Sequence, residues 1–104
     1  MTTFYRTQGD VTDTIVNRLL GIDSLITATA VVGHVSFGGA AAATLTGAVS
    51  DAVACEVTLQ CGTWLLTATP GEWDLETQVT FGDGSVKTWP GKGTDSIVVR
   101  EQIS

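Results

Sequence analysis

The side chains able to do chemistry are few: one histidine, two cysteines and a small set of carboxylates in 104 residues. His34 stands inside a β-branched run, residues 28–37, where alternation puts it on the face of Val32 and Ser36. A nucleophilic triad needs such an imidazole to face a serine or cysteine, with an acid to orient it. Nothing near His34 in sequence supplies those partners, so it reads as a structural or surface histidine. Cys55 and Cys61 end the stretch ACEVTLQC. If that stretch is one strand at about 3.3 Å per residue, roughly 20 Å separate them, well beyond the about 7 Å a disulfide spans. No further cysteine and no Cys/His cluster completes a zinc site. Two buried, reduced thiols are expected, as in a reducing cytosol.

The carboxylates read in the same way. Asp74 and Glu76 alternate onto one strand face roughly 7 Å apart, superficially the separation of a glycosidase acid–base pair. The outward face of a half-buried strand is ordinarily charged, and that is the reading adopted. Asp10 and Asp13 lack the ligand spacing of a calcium loop, and Asp83, between Gly82 and Gly84, is turn chemistry. The G-x-S-x-G elbow, the P-loop, the dinucleotide glycine fingerprint and H-E-x-x-H are missing. The expectation is a protein without catalytic residues, cofactor or metal.

Composition narrows the class further. Hydrophobic residues make up 43% and charged residues 15% of the chain, which excludes intrinsic disorder and suits one domain spanning residues 1–104. No apolar run approaches the about 18 residues of a membrane span, and MTTFYRTQGD has neither the basic nor the apolar region of a secretory signal. Eleven acids against five bases leave a net charge of −6. The bases, Arg6, Arg18, Lys87, Lys92 and Arg100, are scattered singly. Nucleic acid and anionic membrane are therefore not expected partners, because both are bound through clustered positive charge.

The elements that position these residues are strands. Trp73, Leu75, Val79 and Phe81 alternate with Asp74, Glu76, Gln78 and Thr80; Cys55, Val57 and Leu59 alternate with Glu56, Thr58 and Gln60. Further strands are expected over residues 3–7, 14–20, 28–37, the stretch around Leu45 and Val49, and 96–100. Gly82-Asp83-Gly84 predicts a tight two-residue hairpin with at least one glycine at positive φ. Residues 11–20 compete as a helix through Val11, Ile15 and Leu19, as does the alanine cluster 40–43; one helical turn is allowed near residues 63–66. The prediction is an all-β sandwich of about seven strands. Trp73 would anchor its core. Trp89, before Pro90 at a strand end, would either lid that core or project into a partner.

The C-terminal third reads Gly71-x-Trp73-x-x-Glu76-x-x-Val79-Thr80-Phe81-x-Asp83-Gly84-x-x-x-Thr88-x-Pro90. It resembles the closing hairpin of the Ig-like domain at the N-terminus of tailed-phage baseplate upper proteins and of related small virion proteins. Gln8-Gly9-Asp10 resembles that family's first turn, and residues 24–29, SLITAT, the segment leading into a core strand. The resemblance implies an Ig-like antiparallel sandwich and no catalytic residues. It further implies a structural role in the virion of a tailed bacteriophage, as a tail or baseplate component or a capsid decoration protein. Such a protein is made in the host cytoplasm and present in many copies through the particle's symmetry, with other virion proteins as its partners. Surface residues at strand ends would make the contact: Tyr5 or Trp89 as anchor with Pro90, and Lys87 and Lys92 at the rim. The alternative is a carbohydrate- or receptor-binding module in which Trp64 or Trp89 stacks on a sugar.

Overall fold

The computed structural model describes residues 2–10, 13–22, 24–38, 41–90 and 93–101. Their strands are β1 (Thr3–Thr7), β2 (Thr14–Arg18), β3 (Ala28–Phe37), β4 (Ala41–Asp51), β5 (Glu56–Gln60), β6 (Gly71–Phe81), β7 (Val86–Trp89) and β8 (Asp95–Arg100), with one helical turn, α1 (Trp64–Thr67). The all-β reading holds, and the helical turn falls where the sequence allowed one. Of the two competing helices, the described residues 14–18 and 41–43 are strand, while Val11, Thr12 and Ala40 lie outside the described residues. The strand count is eight, and hydrogen bonds join them into one sheet in the order β1-β8-β6-β3-β4-β5-β2, with β7 paired to β6. That sheet coils into a nearly closed barrel-like arrangement.

The joint between its two halves is β4. Residues up to Gly47 pair with β3, and from Thr46 onward the strand pairs with β5. Gly47 sits at the crossover, where a Cβ would lie 2.8 Å from side-chain atoms of both Leu59 and Val31. Gly33 on β3 meets Leu59 almost as closely, at 2.9 Å. Absent side chains at these two positions let the sheet fold over on itself.

The outer strands β1 and β2 are bridged by side chains. Arg6 Nη2 donates to the Thr14 carbonyl at 2.7 Å and Arg6 Nε lies 3.1 Å from Asp13 Oδ2. At the other end of the seam, buried Asp95 accepts from the Thr2 N–H at 2.8 Å and from Asn17 Nδ2 at 3.2 Å. A buried carboxylate needs such donors, and Asn17 is buried on the core face of β2 because Asp95 accepts its amide.

Inside lie Ile15, Leu45, Val57, Leu59, Leu75, Val79 and Ile97, with Trp73 at one end. The β6 alternation runs as expected, with Thr77 in the inward phase as well. Trp73 stacks tilted on Phe37 at 5.1 Å and edge-on to Trp64 at 5.2 Å, and its indole N–H donates to the Thr69 carbonyl at 2.8 Å.

Cys55 and Cys61 are buried and unbridged. They flank β5 by one residue at each end, and Cys55 occupies the left-handed region at φ 57°. Burial, reinforced by the Asp13 carboxylate and opposed by the Arg6 guanidinium, pushes the Cys61 thiol up to about 11. Since the thiolate is the reactive form, iodoacetamide should modify Cys61 slowly in native protein at pH 8, and alkylation after denaturation without reductant should mark both cysteines. The folded thiol holds its proton more tightly than the unfolded one, whose ordinary value is 9.0. The stability this contributes is therefore complete below that value and lost as pH rises through the folded value. The melting temperature should fall over that alkaline window, less steeply in Cys61→Ala. A disulfide-linked mass, or a slope unchanged by the substitution, would refute this description.

Candidate functional site

The residues expected to make contacts lie around the break between β7 and β8. Along one edge of β6, Gly71–Leu75 pair with β8 and Thr77–Thr80 with β7, so the two shorter strands follow each other on the same side. The connecting hairpin has a three-residue loop, Gly82-Asp83-Gly84, closed by Phe81 N–H donating to the Ser85 carbonyl at 2.9 Å. This corrects the two-residue turn. The positive φ falls on Gly84 at 88°, as a three-residue loop with a left-handed last position requires. The hydroxyl and N–H of Ser85 both donate to Asp83, at 2.6 and 2.9 Å, and hold its carboxyl below the ordinary range.

Trp89 closes β7. Its ring is half-buried against the core and its indole N–H donates to the Leu20 carbonyl at 2.9 Å. With Pro90, Leu20 and Thr2 it rims a recess of about 150 Å³ whose lining includes Asp95. Tyr5 lies outside that recess on the edge strand β1, 64% exposed. Lys87 is exposed on β7 opposite Val79. Lys92 falls outside the described residues. The structure thus gathers Trp89 and Pro90 at one corner, with Lys87 two residues before Trp89 on β7, and places Tyr5 on a separate strand.

Sequence reasoning missed Leu20, Ile26 and Val53, which are between 71 and 77% exposed. The segment carrying Leu20 and Ile26 is tied to the others by Leu25 N–H donating to the Ala52 carbonyl at 2.9 Å and by the Trp89 indole on Leu20. For Val53 the available signal was an apolar residue outside any alternating run, whereas Leu20 fell in the expected strand over residues 14–20 and Ile26 in the segment 24–29.

The other polar assembly is on the outer face of β6, β3 and β4. In register, Glu76, His34 and Thr44 form one row across three strands, and Asp74 lies opposite Ser36. They line a shallow concavity of about 440 Å³. His34 Nε2 lies 3.4 Å from Gln78 Oε1, and Asp74 Oδ1 accepts from the Thr94 hydroxyl at 3.2 Å. An acid does therefore stand beside His34, which cross-strand register supplies and linear sequence hides. The side-chain partner of His34 is the Gln78 amide, and both cysteines lie near the ends of β5, away from this concavity. Asp13 is committed to Arg6 and to the Thr14 N–H. Among the described residues no group of three or more His, Cys, Asp or Glu could hold a metal.

Trp64 lines a larger groove of about 620 Å³ with Gln60, Thr63, Thr44 and Thr46. Its ring is half-buried, edge-on to Trp73. No protein-family model and no curated protein matches the chain.

Proposed function

We propose that this protein is a non-enzymatic structural component of a tailed-bacteriophage virion, built on an Ig-like domain and acting through protein–protein assembly. One observation carries the reading: the segment Gly71 to Pro90, on which the family resemblance rests, folds as one unit. An aromatic strand enters an Asp-Gly turn, returns to Thr88-Trp89-Pro90 and leads into the last strand. Strand pairing supports the Ig-like assignment. The set β2-β5-β4 corresponds to the B, E and D strands of that fold, and β3-β6-β8 to C, F and G. The departures are β1, which joins β8 in parallel, and β4, which also pairs with β3 and so links the two sheets. The Trp89 corner, with exposed Leu20 beside it, is the surface proposed for the neighbouring subunit, together with Tyr5, Pro90 and Lys87. An aromatic and apolar centre with a polar rim suits such a contact. The contacted protein would belong to the tail or baseplate, or to the capsid.

Density-gradient-purified particles from cells carrying this gene should contain the chain in fixed ratio to the other structural proteins. Tyr5→Ala should lower that ratio while leaving the melting curve within error, since its ring is mostly exposed. A chain that stays at the top of the gradient, with none in the particle band, would overturn the proposal.

A further inference from the structure

We infer that the open edge of β4 over residues 41–45 is a pairing site for a second copy of this chain, joined antiparallel about a two-fold axis. Those residues hydrogen-bond to β3 on one side, and β5 joins the other side only from Thr46. No other strand covers that side of residues 41–45 among the described residues. The chain beyond β5 stays with β2, Cys61 N–H donating to the Asp13 carbonyl at 2.9 Å, and its pairing with β4 ends at Gln60. The edge therefore opens onto the groove between β4 and the stretch Gln60 to Trp64.

Natural sheets protect a free edge with a charge, a proline or a bulge. The edge strands at the ends of the sheet and β7 follow that rule: β1 carries Arg6, β2 carries Arg18 and β7 carries Lys87. The start of β3, uncovered where β4 departs, has a register irregularity between Ala28 and Ala30. Residues 41–49 have neither charge nor proline. The same contrast selects the occupant. Two-fold pairing sets a strand against its own copy, so any charge near the axis meets a like charge, which is destabilising. Arg18 and Lys87 therefore oppose self-pairing at their edges, and residues 41–45 of β4 carry no such penalty. In antiparallel pairing every second residue turns its N–H and C=O outward, so each copy completes the other's open row.

Sedimentation from micromolar to hundreds of micromolar concentrations should show a monomer–dimer equilibrium. Thr44 is exposed on this segment. Thr44→Lys and Thr44→Glu should each weaken the dimer by roughly tenfold or more with an unchanged melting curve, and an equal mixture of the two should recover a 1:1 heterodimer. Should either variant fail to fold, the wild type decides alone, because an amide among residues 43–45 must gain hydrogen-exchange protection at dimer concentrations. A chain that stays monomeric throughout overturns the inference. So does a dimer that neither charge disturbs, or one without new protection at 43–45. The inference is independent of the virion reading: a dimer absent from particles would keep it, and a monomer found in particles would overturn it alone.

Discussion

Replacing Trp73 by alanine is expected to lower the free energy of unfolding by about 4 kcal/mol. The ring is buried at the end of the core, between Phe37 on one side and Trp64 on the other. Its removal leaves a cavity that neighbours on two other elements, β3 and α1, would have to move together to fill. It also takes away the indole N–H from the Thr69 carbonyl. A domain of this size has about 5–15 kcal/mol in total, so the variant should sit near the edge of folding at room temperature. Trp73→Phe separates the contributions. It keeps much of the aromatic packing and loses the hydrogen bond and part of the ring, so about 1–3 kcal/mol is expected. Urea denaturation of both variants tests this. An alanine variant within 1 kcal/mol of wild type would mean that the three rings do not act as one cluster.

Trp73 was legible because its strand is half-buried. A period of two shows in sequence only where one face meets the core and the other meets solvent, as along β6 and β5. The N-terminal region was ambiguous for a physical reason. In β2 and the residue after it, the buried positions are Ile15, Asn17 and Leu19, and a polar residue in the middle erases the alternation. Asn17 is tolerated there because Asp95, far along the chain, accepts its amide. The Arg6 contacts with Asp13 and Thr14, and the row Glu76-His34-Thr44, likewise depend on register between strands, which no local pattern carries. The number of sheets was hidden in β4. Alanines, threonines and a glycine give little alternation, and nothing in that run marks that one unbroken strand serves β3 first and β5 afterwards. Of the candidate contact surface, Trp89 and Tyr5 could be named from their types and positions. Leu20 could not, since its exposure follows from where β2 stops.

That same strand supplies the second large effect. Gly47→Ala should destabilise the protein by about 1–3 kcal/mol, against the ordinary trend in which alanine in place of a strand glycine is favourable. The added carbon would fall 2.8 Å from Leu59 Cδ2, 2.8 Å from Val31 Cγ1 and 3.1 Å from the Val31 carbonyl oxygen. Side chains can rotate away, whereas the carbonyl belongs to the backbone of β3, which is paired on both sides at Val31 and cannot move without disturbing that pairing. Leu59→Ala alone should cost about 2–5 kcal/mol, because the side chain is fully buried over Gly33 and Gly47. Combining the two relieves one of the three contacts, so the double variant should lose less than the sum of the singles, by about 0.5–2 kcal/mol. Strict additivity would mean that Leu59 does not press on Gly47, and the fold-over of the sheet would then need another cause. A stabilising Gly47→Ala would go further, since it would require β4 and β5 to stand apart at the crossover. The position of the open edge over residues 41–45 depends on that crossover, so the glycine and the pairing surface stand on the same geometry.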